Sequence, residues 1–140
     1  MKREALRVEP ISSYLDRWGR PPGSPVTRAG NMIFVSGLPP FDPETGDILP
    51  VPIERQTELV LEQMKLCLET AGTSLQNVMK CNIYCTSAKH FQAVNTIYAR
   101  YFPRDPPAHL RLRSGMDRAI RHRDRLRGDV VMRLAHSPIP

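Results

Sequence analysis

The sequence predicts a single small α+β domain, and three observations predict it. Two β-favouring runs flank a Gly30-Asn31 turn, two longer segments space their apolar residues as helices do, and an alternating run lies between those segments. A chain of 140 residues with 41% hydrophobic content suits one domain with an ordinary core.

The first strand pair is Thr27-Arg28-Ala29 and Met32 to Ser36. Gly and Asn tolerate the positive φ that tight hairpin turns need. Ile33, Phe34 and Val35 run together, which predicts a strand covered on both faces, and Gly37 ends it. Upstream, Leu6, Val8 and Ile11 suit an edge strand with Trp18 as an anchor. Arg20-Pro21-Pro22-Gly23-Ser24-Pro25 then breaks regular structure. Leu38 to Pro52 reads as a loop, with turn signals concentrated in Asp42-Pro43-Glu44-Thr45-Gly46-Asp47.

Ile53 to Ala71 is the clearest helix. Leu61, Met64 and Leu68 recur at three and four residues, with Val60 and Cys67 beside them and Glu54, Glu58, Glu62 and Lys65 opposite. Glu54 suits the positive end of the helix dipole, and Gly72 is a natural stop. Val78 to Thr86 alternates as a strand, with Val78, Lys80, Asn82, Tyr84 and Thr86 on one side and Met79, Cys81, Ile83 and Cys85 on the other. Phe91 to Phe102 is a second helix with the stripe Phe91, Val94, Tyr98, Tyr101, ended by Pro103. The expected order is therefore β-β-α-β-α.

Composition narrows the function classes. No apolar run approaches the roughly 20 residues of a membrane span. Met1-Lys2-Arg3 is not followed by the apolar stretch of a secretory signal, so the expected compartment is the cytoplasm, with no membrane partner. Cys67, Cys81 and Cys85 are odd in number and lack C-x-x-C spacing, which argues against a disulfide framework and against zinc. They are expected to be reduced, buried thiols. The net charge is +6, but Met1 to Ala108 carries only +1 of it. His109 to Pro140 holds 8 arginines against 3 aspartates, and three of the four histidines. Such a tail attracts phosphates without sequence preference, yet no aromatic residues are interleaved to stack on bases, so a nucleic-acid partner is not the expected one.

After Pro106-Pro107-Ala108 a last strand is needed to complete the sheet. The chain instead continues with Leu110-Arg111-Leu112-Arg113 and then Arg121-His122-Arg123-Asp124-Arg125-Leu126-Arg127. The second run has no usable apolar face and is expected to be solvated. The organisation read from the chain is thus an extension over 1–23, a domain over 24–108 and an aberrant basic tail over 109–140.

Several stretches resemble the RidA/YjgF/UK114 family of imine and enamine deaminases. They are Thr27-Arg28-Ala29-Gly30-Asn31 leading to Phe34-Val35-Ser36-Gly37, and Asp42-Pro43-Glu44-Thr45-Gly46. Gln56-Thr57 then opens a long helix, and Ala71-Gly72-Thr73-Ser74-Leu75 precedes Val78. Asn95-x-x-Tyr98-x-x-Tyr101-Phe102 and Pro106-Pro107-Ala108 complete the set. Their order and spacing carry the resemblance, over residues 24 to 108. It implies a chorismate-mutase-like α+β fold and a homotrimer with ligand clefts between subunits. It further implies hydrolysis of 2-imino or 2-enamino acids to 2-keto acids and ammonia, with no metal or organic cofactor. Ser36 and Gly37, at the end of a strand, and Asn95 and Tyr98, one helical turn apart, are the substrate-binding residues it implies here. The plainer reading makes Ser36-Gly37 a strand-to-loop turn, Tyr98 a core residue, Arg28 a surface strand charge and His90 a solvated residue near a helix start.

The resemblance also implies an arginine directly after the Pro-Ala step, to grip the substrate carboxylate, and a glutamate on the last strand, to help place the water. Here His109 follows Ala108, no counterpart of the glutamate is found, and Gly23 stands where the family has a pocket tyrosine. Catalysis is therefore expected to be impaired, with Arg111 and Arg113 as weak candidates to replace the arginine.

A reading-frame shift is the expected origin of the tail, a hypothesis that the gene's own codons test. Read one base later, the codons of Met116-Asp117 force a tryptophan. Those of Ile120 to Arg127 permit the alternating strip F-D-I-E-I-D-C, and the Val131-Met132 junction permits a stop. Loss of two bases near the Ala108 codon would produce the tail and delete the arginine together. Two other functions stay open at this point: a non-catalytic small-ligand or partner-binding protein of the same fold, and a nucleic-acid binder acting through the tail.

Overall fold

The computed structural model describes residues 2–17, 23–113 and 130–138. Trp18 and the run Arg121 to Arg127 lie outside these residues.

Strand β1, Glu4–Leu6, pairs antiparallel with β2, Val26–Ala29. The edge strand is thus present but shorter than expected, because Val8 and Ile11 turn inward and are buried. Ile11 opens a helix that the sequence pattern does not announce, α1, Ile11–Arg17. Ser12 ties its start: its Oγ accepts from Val8 N at 2.9 Å, and its own amide donates to Val8 O at 2.8 Å. Seven residues give too little periodicity to read in isolation.

β2 turns through Gly30, at φ +57°, into β3, Met32–Leu38, as an antiparallel hairpin. Ile33 and Val35 are buried, whereas Phe34 is 42% exposed. Within this chain β3 therefore has one covered face, not the two that its run of apolar residues suggested.

Helix α2, Ile53–Thr70, buries Val60, Leu61, Met64, Cys67 and Leu68, the expected stripe. It ends where Gly72, at φ +88°, donates to Glu69 O at 3.0 Å and Thr73 donates to Leu68 O at 2.9 Å. This paired closure satisfies the last carbonyls and needs a left-handed residue. Strand β4, Lys80–Cys85, buries Cys81, Ile83 and Cys85 completely. Met79 lies before the strand and is 59% exposed, so it does not share that face as expected. Helix α3, Phe91–Tyr101, buries Val94, Ile97 and Tyr98, with Phe91 and Tyr101 packed at the margin of the core.

Beyond Ala108 the observed fold departs from expectation. Ala108–Arg113 forms β5, parallel to β4, and Val130–Pro138 forms β6, antiparallel to both β3 and β4. Among the described residues the sheet order is β1-β2-β3-β6-β4-β5. The position reserved for a last strand is thus filled, and it lies inside the sheet. The arginine-rich run dominates the tail's composition and masks Val130-Val131-Met132 and Leu134-Ala135, a β-favouring stretch behind it. Helices α2 and α3 cover one face of the sheet, and a single core joins Val26, Ile33, Val35, Cys81 and Ile83 to the inner faces of both helices. Burial of each such aliphatic side chain stabilises the fold by about 1.5–3 kcal/mol.

The loop after β3 is built around Asp42, whose Oδ1 accepts from Thr45 N at 2.9 Å and Glu44 N at 3.0 Å. The backbone bond from Thr45, with further help from Glu44, holds this carboxyl below the usual range. Tyr14 of α1 donates to Pro43 O at 2.7 Å and lies over Gly46, which sits at φ +73°. A Cβ at Gly46 would fall 2.6 Å from Tyr14 Cγ. Gly46→Ala is expected to cost about 2 kcal/mol, through strain at positive φ and displacement of the ring. The shift in the urea unfolding midpoint measures it.

Candidate functional site

Alternation along the strands sorts their side chains onto two faces. Val26, Ile33, Val35, Cys81, Ile83 and Cys85 point under the helices. Thr27 is opposite Phe34 in the β2–β3 register, so those two share the other, open face, together with Ser36 on β3 and Lys80, Asn82 and Tyr84 on β4.

The register through β6 shows how these residues line up. Val35 and Cys81 both pair with Leu134, and Leu38 and Ile83 both pair with Met132. Ser36 and Gly37 therefore sit at the level of Asn82, two strand spacings away, or about 10 Å. The β3–β6 ladder shifts register between Val35 and Leu38, an irregularity of the kind that re-aims a strand at Ser36-Gly37. The Ser36 amide donates to Pro25 O at 2.9 Å.

The other two residues singled out from sequence lie elsewhere. Asn95 and Tyr98 belong to α3, on the covered side of the sheet. Tyr98 is buried, stacks on Phe102 with ring centroids 4.6 Å apart, and its hydroxyl meets the Cys81 thiol. Burial pushes its pKa far above the usual phenol value, and the Cys81 contact adds to that. Within one chain, then, Ser36-Gly37 and Asn95-Tyr98 occupy opposite sides of the sheet. Arg28 pairs with Glu4 at 2.8 Å, and His90 closes a short 3-10 turn, Ala88–His90, leading into α3. The polar row on β4 was legible as strand alternation, but nothing in the sequence marked Lys80 or Asn82 as different from any solvated strand residue.

The three cysteines are buried and none is in a disulfide. Burial pushes the Cys67 and Cys81 thiols up from 9.0 to about 12. A raised folded-state pKa means the native chain holds these protons more tightly than the unfolded chain. The resulting stability is complete below pH 9.0 and is lost as pH rises toward about 12. Unfolding midpoints are expected to fall steadily between pH about 9 and about 11, and native Cys67 and Cys81 to resist alkylation at pH about 8. Urea titrations and mass spectrometry of iodoacetamide-treated protein check both.

A concavity of about 410 Å³ lies between α1, the loop after β3 and α2, with Ile11, Tyr14, Phe41, Leu59 and Leu66 as its apolar wall. Its rim carries Arg55 and Lys65 against Glu62 and Glu69, so it selects neither anion nor cation. Glu62 accepts from Tyr101 Oη at 2.8 Å. Among the described residues no group of three or more His, Cys, Asp or Glu is placed to hold a metal ion, and no helix is long and apolar enough to cross a membrane.

Residues 20–118 match the family model described as Endoribonuclease L-PSP. A RutC family protein of Pyrococcus abyssi is 42% identical over 87 residues, covering 62% of this chain and 68% of that protein. The chloroplastic Reactive Intermediate Deaminase A of Arabidopsis thaliana is 35% identical over 108 residues, 77% of this chain and 55% of that protein. Among solved structures, a Thermotoga maritima protein at 35% identity superposes with a TM-score of 0.71, covering 84% of this chain and 87% of the other.

Proposed function

This chain belongs to the RidA/YjgF/UK114 family, and from that membership we propose that it hydrolyses 2-imino and 2-enamino acids to 2-keto acids and ammonia, at a rate lowered by its altered C-terminal tail. The observation that carries the reading is the similarity to a reactive intermediate deaminase along 108 residues, in a chain that has histidine at 109. The reaction adds water across the C=N bond of the imine. The nitrogen takes up protons and leaves as ammonia, and the carbon keeps the water oxygen as a carbonyl. A reactive imine needs little more than a held carboxylate, a protonated nitrogen and a placed water. No metal or organic cofactor enters these steps.

We also infer where the impairment comes from. The tail arises from loss of two bases near the Ala108 codon, which exchanged the arginine for His109 and the glutamate-bearing strand for a different one. Strand β6, Val130–Pro138, contains no carboxylate. The protein acts in the cytoplasm as a homotrimer. The open sheet face with its exposed Phe34 supports assembly, since a second chain would cover it. The placement of Ser36-Gly37 and Asn95 on opposite sides of one sheet fits a substrate site completed by a neighbouring subunit, whereas Tyr98, buried against Cys81, supports the core from within.

Ammonia and keto-acid release from freshly generated 2-iminobutanoate tests the reading. Slow but protein-dependent release is expected. Tight binding of 2-oxobutanoate with no release would instead favour a non-catalytic ligand-binding protein. The tail's balance of +5 supports a second reading, nucleic-acid binding. Salt-sensitive RNA binding that vanishes on removal of 109–140 would establish it.

A further inference from the structure

We infer that the concavity between α1, the loop after β3 and α2 is a binding site for a zwitterionic amino acid with an apolar side chain. Its described lining comes from those three segments and from no strand, so it is separate from the open sheet face, and the inference does not depend on imine hydrolysis. The space of about 410 Å³ lies within the range of small-molecule clefts. Its walls are held before any ligand enters. Tyr14 Oη donates to Pro43 O at 2.7 Å, and the Tyr14 ring meets Phe41 edge-on with centroids 5.9 Å apart. Gln63 Nε2 donates to Pro39 O at 2.8 Å and so ties α2 to the loop. Ile11, Leu59 and Leu66 complete an apolar floor beneath the two rings.

The rim supplies the ligand's charge pattern. Two of its four charged side chains are committed: Arg55 pairs with Glu58 at 3.1 Å, and Glu62 accepts from Tyr101 Oη at 2.8 Å. Lys65 and Glu69 are exposed, and neither side chain has an ion pair or hydrogen bond among the described residues. They stand one helical turn apart on α2, in the order lysine before glutamate, which is the less favourable order for pairing with each other. One positive and one negative group therefore stay uncommitted, side by side, above an apolar floor. An α-amino acid carries the complement of all three features on a single carbon. Its carboxylate accepts from Lys65 Nζ, its ammonium donates to Glu69, and its side chain lies against Leu59 and Leu66. A simple anion or cation satisfies one rim group and is repelled by the other. Each exposed ion pair contributes little alone, so a Kd of about 1 mM is expected.

An amide NMR titration of the full chain with L-leucine tests the site. Saturable shifts are expected at Tyr14, Phe41 and Leu66. Leucine lacking its ammonium (4-methylpentanoate), leucine lacking its carboxylate (3-methylbutylamine) and glycine should each bind about threefold more weakly or worse. Lys65→Gln and Glu69→Gln change exposed side chains, and each should weaken leucine by about three- to fivefold. Lys65→Gln should not weaken 3-methylbutylamine, and Glu69→Gln should not weaken 4-methylpentanoate, since each analogue lacks the group that the altered residue holds. Three results would each overturn the proposal: no saturable shift with leucine in the parent chain, shifts confined to the open face around Ser36 and Asn82, or equal leucine affinity in the parent and both variants. Binding of 4-methylpentanoate as tight as that of leucine would overturn it too, by making the site merely apolar.

Discussion

A chain ending at residue 129 is expected not to fold. Strand β6 lies between β3 and β4 and pairs with both, so its removal divides the sheet into β1-β2-β3 and β4-β5. Each half would then present an interior edge of unpaired amides and carbonyls where a continuous ladder had been. The helices would lose cover as well, because α2 packs against β6 as well as β3. The total stability of a domain this size is about 5–15 kcal/mol, and the loss of one interior strand exceeds what such a margin can absorb. The truncated chain should show no cooperative thermal transition by circular dichroism and no dispersed NMR amide spectrum. A cooperative transition at the parent's melting temperature would mean that Val130–Pro138 contributes nothing to the sheet.

The second large effect concerns activity. If the proposed frame shift and activity hold, inserting two bases near the Ala108 codon is expected to raise imine hydrolysis by roughly a hundredfold over the chain as written, because on that reading it returns a bidentate carboxylate anchor and a water-placing carboxylate together. The two contributions can be separated. His109→Arg in the present chain returns only the anchor, and its gain should appear chiefly as a lower KM. The frame-restored chain should also gain in kcat, since a placed water matters most in the transition state. Equal rates for the present and restored chains, measured on the same freshly generated imine, would show that neither departure limits the reaction. Sequencing the gene across the codons of Pro106 to Leu110 addresses the origin of the tail independently of any assay.

Local chemistry was enough to read much of this protein from its sequence. The Gly30-Asn31 hairpin, the α2 stripe of Val60, Leu61, Met64, Cys67 and Leu68, the Gly72 stop and the alternation of Cys81, Ile83 and Cys85 all depend on neighbours within a few positions. Periodicity and positive-φ chemistry are local properties, so the chain carries them openly. The family followed from the order of such pieces, and the odd character of residues 109–140 followed from their charge.

The tertiary structure decided everything that depends on contacts distant in sequence. A short helix such as α1 exists because Ile11 can bury against the core and Tyr14 can close over Gly46, not because seven residues prefer to be helical. The exposure of Phe34 could not be read from an apolar run, since only the arrangement of helices determines which face of β3 is covered. The place of Val130–Pro138 inside the sheet depended on β3 and β4 having opposite edges to offer. The separation of Ser36 from Tyr98 depends on which face the helices cover, and the alignment of Ser36 with Asn82 is a consequence of sheet register. Register pairs residues dozens of positions apart, and no window along the chain contains both partners.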